Sequence, residues 1–85
     1  SPLKLFEYMA SGINILTQNH KTIMEVVNEK TAYIYNYYSV SDMKKKLLSA
    51  VNDEKMIVGL NARKQAFKKY SWKSRVKYII KIIVE

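Results

Sequence analysis

The stretch SPLKLFEYMASGINILT, residues 1–17, decides the fold of this chain. Ser1 is a favourable N-cap, Pro2 suits the first helical position, where no backbone N–H is needed, and Gly12 supplies a C-terminal stop. The apolar run at 13–17 has the length of a strand. The stretch therefore predicts a helix, a tight turn and a strand, as in α/β domains.

The first helix has one polar stripe on an otherwise apolar surface. With 3.6 residues per turn, Leu5 and Met9 share one side, and a second apolar side lies next to it. A helix with this pattern is expected to be mostly buried. The second apolar side consists of Leu3, Phe6 and Ala10, and the polar stripe consists of Lys4, Glu7, Tyr8 and Ser11.

Further elements follow in the order helix, strand and three helices. The pattern predicts a short helix over 21–28, a strand over 31–36, a helix capped by Ser39 or Ser41, a helix over 54–69 capped by Asn52 or Asp53, and a last helix capped by Ser71. Lys44, Lys45 and Lys46 are expected to point largely to water. The residues expected to face inward are Ile23, Val26 and Val27 in the first of these helices, Met43, Leu47, Ala50 and Val51 in the second, Ile57, Leu60 and Phe67 in the third, and the stripe Trp72, Val76, Ile79, Ile80 and Ile83 in the last.

These segments together resemble the C-terminal half of the nucleotide-binding domain of GT-B-fold glycosyltransferases of the group 1 or family 4 class. That family carries a segment S/P-x-K-x-x-E-Y-M-A-x-G-x-P followed by two hydrophobic residues, and residues 1–16 match it, with Asn14 where the family usually has proline. The likeness continues in MEVV at 24–27, TAYIY at 31–35, SDM at 41–43 and YSW at 70–72, although Ala32 stands where the family usually has glycine.

The resemblance implies a donor site for a nucleotide-activated sugar. Glu7 corresponds to the second glutamate of the family's E-x7-E motif, which accepts hydrogen bonds from the ribose hydroxyls, and the first glutamate would precede Ser1. The helix start around Leu3, Lys4 and Leu5 would offer N–H groups and positive charge to the diphosphate. From spacing alone, an ordinary i,i+3 surface pair is the better explanation of Lys4 and Glu7. The surrounding motif reverses this for Glu7 and leaves both explanations open for Lys4.

The fold expected is α/β: a partial Rossmann-like fold, mainly helical with two short parallel strands, and residues 1–85 form a single fragment of a larger enzyme. The resemblance implies a hexosyl transferase with the nucleotide-diphosphate sugar as substrate, no cofactor and no obligatory metal, acting on a sugar or lipid-linked acceptor in polysaccharide or glycolipid biosynthesis. Because a GT-B site lies between two domains, the fragment alone is expected to be inactive.

The composition limits the cellular location and the partners that can be expected for this chain. The chain has no cysteine and no run of apolar residues long enough to span a membrane, so a cytoplasmic location is expected, at most peripheral to the inner face of the membrane. The net charge of +8 admits nucleic acid, an anionic membrane surface or a simply solvated lysine face. No nucleic-acid-binding motif is present, so nucleic acid is not expected. The alternative function is a non-catalytic basic helical module that binds an acidic partner.

Two weaker features complete the sequence-based hypotheses. His20, in the loop after the first strand, is a candidate for ligand contact, but one histidine without nearby acids or cysteines predicts no metal site. The tyrosines at 33–38 could stack on a nucleobase or simply pack around the strand. Self-association is also expected, through open strand edges or the stripe at 72–83.

Overall fold

The computed structural model describes residues 2–69. Ser1 and residues 70–85, and with them the expected last helix and its apolar stripe, lie outside the described residues. The described part contains helices α1 (Pro2–Ser11), α2 (Lys21–Met24), α3 (Val40–Asn52) and α4 (Ile57–Lys69), and strands β1 (Leu16–Gln18) and β2 (Tyr33–Tyr35). None of the described helices is long and apolar enough to cross a membrane.

The two strands lie side by side and run parallel, with Leu16 opposite Tyr33 and Gln18 opposite Tyr35. The chain is therefore an α/β domain, mostly helical with two short parallel strands, as the sequence predicts. Both strands are shorter than expected. The amides of Thr31 and Ala32 both donate to the carbonyl of Asn28, at 3.0 Å each, so β2 cannot begin before Tyr33.

Helix α1 has the predicted bounds. Gly12 follows it with a φ of 79°, and its N–H donates to the carbonyl of Met9 at 3.2 Å, which ends the helix. Met9 is buried, with Leu5 and Phe6 half-buried beside it, whereas Lys4 is exposed. The predicted polar stripe thus faces solvent, and the apolar residues of 4–11 pack toward the core. The helix is less buried than expected, because Met9 is the only fully buried residue within 4–11.

Helix α2 ends four residues earlier than expected, at Met24. Beyond it, the N–H groups of Val26 and Val27 both donate to the carbonyl of Ile23, so the chain turns instead of continuing as a regular helix. The expected inward side is nonetheless correct, because Val27 is buried and Ile23 and Val26 pack against the core.

The prediction for the inner face of α4 is wrong. Ile57, Leu60 and Phe67, expected inside, are 60%, 51% and 42% exposed. The buried face consists of the small residues Gly59, Ala62 and Ala66. The reason is steric: α4 packs directly on α1 and on the turn at 12–13, and only small side chains allow so close an approach.

The prediction for α3 is also wrong for three of its four residues. Met43, Leu47 and Val51 are exposed, and only Ala50 is half-buried. The helix turns its polar side to β2, where Asp42 and Lys46 bind main-chain groups at the end of the strand. The Lys46 Nζ donates to the carbonyl of Ile34 at 3.0 Å, and the Asp42 Oδ2 accepts from the N–H of Asn36 at 2.7 Å. Lys44 and Lys45 are exposed as expected, whereas Lys46 is not free in solvent.

The side chain of Asp53 caps α4, although Asp53 does not directly precede the first residue of the helix. Its carboxylate accepts from the N–H of Ile57 at 2.9 Å and of Val58 at 3.1 Å, and the helix begins at Ile57 rather than at Glu54. It also accepts from the hydroxyl of Tyr33 at 2.8 Å. The N–H of Ile57 is the main cause that lowers the pKa of Asp53, and burial is the main cause that raises the pKa of Tyr33.

Asn14 joins these elements to the start of β1. Its Nδ2 donates to the carbonyls of Ala50 and Asp53, at 3.0 and 2.9 Å, and its Oδ1 accepts from the N–H of Gly59 at 2.9 Å. One amide side chain thus connects the segment before β1 with the end of α3 and the start of α4. This role accounts for an asparagine at this position.

Candidate functional site

A cleft of about 590 Å³ opens where α1, the carboxyl end of β1 and α2 meet. Because α1 runs down to Gly12 and β1 runs back up, the first half of α1 and the last residue of β1 lie at the same end of the domain. In α/β proteins, ligands bind at the carboxyl ends of parallel strands. The apolar residues of the cleft are Leu5, Ile15, Leu16, Ile23 and Val26, and the polar ones are Lys4, Tyr8, Thr17, Gln18, His20, Thr22 and Glu25.

Helix α1 supplies the positive charge of the cleft. Lys4 and Tyr8 are four residues apart, so their exposed side chains lie on the same face of the helix. Leu5 lies between them, half-buried, and contributes an apolar surface. The arrangement presents an ammonium and a phenol to the same space.

Glu7 lies next to this cleft rather than in its wall. Its carboxylate is exposed and lies 4.0 Å from the Lys4 ammonium, which does line the cleft. The predicted i,i+3 pair therefore exists, and both of its members remain accessible to a ligand. Leu3 lies in the first turn of α1, at the same end of the helix.

His20 is the N-cap of α2. Its Nδ1 accepts a hydrogen bond from the N–H of Thr22 at 3.2 Å. An imidazole whose Nδ1 accepts a bond carries its proton on Nε2 in the neutral form, so Nε2–H is the donor that it can offer a ligand. His20 was a predicted candidate for ligand contact because it lies in the loop after the first strand. In the structure it lines the same cleft as Lys4 and Leu5.

Sequence reasoning missed most of the remaining polar groups of the cleft. Tyr8 could have been found from its i,i+4 spacing to Lys4, and Gln18 from its place at the end of β1. Thr22 and Glu25 carry no sequence signal of their own that points to a ligand. Glu25 nonetheless lines the cleft.

This set of groups suits a ligand that has both anionic and hydroxyl-bearing parts. The Lys4 ammonium can bind a phosphate, and carboxylate oxygens such as those of Glu25 accept hydrogen bonds from sugar hydroxyls. Within residues 2–69, no group of three or more histidine, aspartate or glutamate side chains is placed to hold a metal ion. The groups that line the cleft can bind a ligand through charge and hydrogen bonds.

Comparison with protein-family models, with curated proteins and with solved structures finds no match for this chain.

Proposed function

We propose that this chain is part of the donor-binding domain of a GT-B-type glycosyltransferase that transfers a sugar, a hexosyl group, from a nucleotide diphosphate to an acceptor hydroxyl. The observation that carries the proposal is the cleft at the carboxyl end of β1, which joins Lys4, Leu5 and His20. Glu7 is in reach of the same ligand through its position beside Lys4. The choice of sugar transfer as the reaction rests on the order of the motifs along the sequence, which resembles that of GT-B glycosyltransferases.

The directions in which the strands and helices run support the proposal. A partial Rossmann-like domain requires strands that run parallel, connected through a helix, with the first turn of each helix at the carboxyl end of the sheet. In this chain β1 and β2 are parallel and α2 lies between them in sequence. The start of α1 and the end of β1 then face the same ligand.

The chemistry assigned to these groups is electrostatic. Negative charge develops on the diphosphate as the glycosidic bond breaks, and nearby N–H groups and cations stabilise it. Lys4 is the cation placed to do so, and Glu7 accepts hydrogen bonds from the ribose. Neither residue forms a covalent bond with the sugar in this proposal. Glu7 and Lys4 are thus binding groups, and the acid-base chemistry belongs to groups outside this set.

The test is a titration of the chain with nucleotide diphosphates, UDP, GDP and ADP, followed by amide NMR. We expect the amides of Lys4, Tyr8 and His20 to shift with at least one nucleotide. Replacing Lys4 by Gln should weaken that binding about tenfold or more, since a hydrogen bond to a charged group contributes about 1.5–3 kcal/mol. The variant Glu7→Gln should weaken binding of the nucleoside diphosphate by a similar factor.

The matched control is Lys64→Gln, which removes the same charge from an exposed position of α4. It should leave nucleotide affinity unchanged. Absence of any shift in the cleft amides, or equal affinities for Lys4→Gln and Lys64→Gln, would refute the proposal. Sugar transfer by residues 1–85 alone would also contradict it, because a GT-B site requires two domains.

The exposed side of α3 supports a second element of the proposal, peripheral contact with an anionic membrane. Val40, Leu47, Leu48 and Val51 are all exposed on this helix, and Lys44 lies among them. An apolar face accompanied by lysines is typical of helices that lie in the membrane interface. Such contact would bring the enzyme to a lipid-linked acceptor, in polysaccharide or glycolipid biosynthesis at the inner face of the membrane.

Sedimentation with vesicles tests this contact. The chain should bind vesicles that contain phosphatidylglycerol and not vesicles of phosphatidylcholine alone, and Leu48→Gln should weaken binding. Leu60→Gln, which changes a similarly exposed leucine on α4, is the control. Unchanged binding in both variants would assign the binding to charge alone. That result would favour the alternative function, a basic non-catalytic module for acidic partners.

A further inference from the structure

A second groove, of about 420 Å³, lies at the carboxyl ends of both strands. Its lining residues are Gln18, Asn19 and His20 after β1, and Tyr37 and Tyr38 after β2. Gln18 and His20 also line the cleft described above, so the two depressions adjoin. Nothing assigned so far uses the two tyrosines.

The two tyrosine rings are largely exposed to solvent. Tyr37 is 62% exposed and Tyr38 is 91% exposed, and their ring centroids lie 5.0 Å apart at an interplanar angle of 83°. In this edge-to-face arrangement, each ring supports the other while flat aromatic surface stays free. The rings therefore contribute little to the core of the domain, and their apolar faces remain available to a ligand.

The backbone that carries the rings is held firmly. The N–H of Tyr37 donates to the Asn19 Oδ1, and the N–H of Tyr38 donates to the Asn36 Oδ1, each at 3.1 Å. The N–H of Asn19 in turn donates to the carbonyl of Tyr35 at 3.0 Å, which ties the two loops together. Side-chain hydrogen bonds thus fix a loop whose largest side chains are left in water. Such an arrangement suits a preformed binding surface.

The chemistry of the groove selects an uncharged ligand. None of its lining residues is a lysine, arginine, aspartate or glutamate, in contrast to the adjoining cleft. Gln18 offers both a donor and an acceptor, and His20 offers its Nε2–H, because its Nδ1 is already bonded. Flat apolar rings beside neutral donors and acceptors match a sugar ring, whose faces carry C–H groups and whose edge carries hydroxyls.

We propose that this groove binds a neutral saccharide, with one sugar ring stacked on Tyr38 and its hydroxyls hydrogen-bonded to Gln18 and His20. The saccharide would then lie directly beside the cleft that Lys4 lines. Its identification as the acceptor rests on the proposed transferase function. Saccharide binding itself rests only on the groove.

Titration with neutral trisaccharides, maltotriose, cellotriose and triacetylchitotriose, tests the proposal by amide NMR. At least one should bind with a millimolar Kd and shift the amides of Gln18, His20, Tyr37 and Tyr38. Tyr38→Ala should weaken this binding about fivefold or more, whereas Tyr38→Phe, which keeps the ring, should retain it. Leu60→Ala, which removes an exposed apolar side chain from α4, should have no effect.

Three results would overturn the proposal: no shift in the groove with any trisaccharide, equal binding by Tyr38→Ala and the wild type, or shifts of Tyr37 and Tyr38 with UDP, GDP or ADP alone. The last result would make the rings a nucleobase platform. Saccharide binding in the groove without nucleotide binding at Lys4 would instead reject the proposed transferase and leave the groove assignment intact. The two failures are thus distinguishable.

Discussion

Replacing Gly59 by alanine tests how closely α4 approaches the rest of the domain. A Cβ at this position would lie 2.6 Å from the carbonyl oxygen of Ile13 and would also overlap the carbonyl oxygen of Gly12. These are backbone atoms, which cannot rotate away as a side chain can. To restore contact at 3.4 Å, the helix and the turn would have to separate by more than about 0.8 Å, because the oxygen of Gly12 lies closer to the added Cβ than that of Ile13. We therefore expect the whole α1–α4 packing to change.

The expected magnitude follows from three opposing effects. Overpacking costs about 1–3 kcal/mol, and loss of the bond from the Gly59 N–H to the Asn14 Oδ1 costs about 1 kcal/mol. The better helix propensity of alanine returns about 1 kcal/mol. The net destabilisation is about 2 kcal/mol, against a total stability of about 4–13 kcal/mol for a domain of this length.

Urea unfolding followed by circular dichroism gives the free energy of unfolding directly. Gly59→Ala should lower it by about 2 kcal/mol and lower the Tm by about 8–16 °C. Lys64→Ala, on the exposed side of the same helix, should change it by less than about 0.5 kcal/mol. A Gly59→Ala variant as stable as the wild type, or more stable, would refute the reasoning, because only helix propensity would then be acting.

The bridging amide and the acid side chains give two more predictions. Asn14→Ala removes three hydrogen bonds between elements and should lower the free energy of unfolding in urea by about 2–3 kcal/mol. Asn61→Ala, at an exposed position, should lower it much less, and similar values for the two variants would contradict the bridging role of Asn14. The pKa values of Asp42 and Asp53 lie below the ordinary 3.8, chiefly because their carboxylates accept backbone N–H groups, so their stabilisation is complete above that value and is lost as the pH falls below it. The Tm should fall as the pH is lowered below about 4, and the fall should be shallower in Asp53→Asn; equal slopes would exclude this carboxylate as a cause.

The elements whose signals are local were well predicted. Helix α1 is bounded by Pro2 at its start and Gly12 at its end, and both act through the backbone of their own turn. Asn52 or Asp53 was expected to cap the next helix, and Asp53 does so, although that helix begins at Ile57. The parallel pairing of the strands followed from the helix–strand order, because a helical connection places consecutive strands side by side in the same direction.

The site was only partly accessible from the sequence. Lys4, Leu5 and His20 were proposed from their motif or loop, and they meet in one cleft. Gln18 and Tyr38 were not proposed as a pair, since they are 20 positions apart and meet only because the carboxyl ends of β1 and β2 are adjacent. No local pattern in the sequence encodes that proximity.

The sequence by itself determined where most helices and strands lie and that the strands run parallel, because caps, turns and apolar runs act within a few residues of the chain. The tertiary structure alone decided which faces of α3 and α4 are buried. A helical period identifies an apolar side, but burial also depends on how close the neighbouring element comes. At α4 the contact with α1 is so close that Gly59, Ala62 and Ala66 fill it, and Leu60 is left outside. Side-chain volume at the contact, rather than hydrophobicity along the sequence, therefore determined the core.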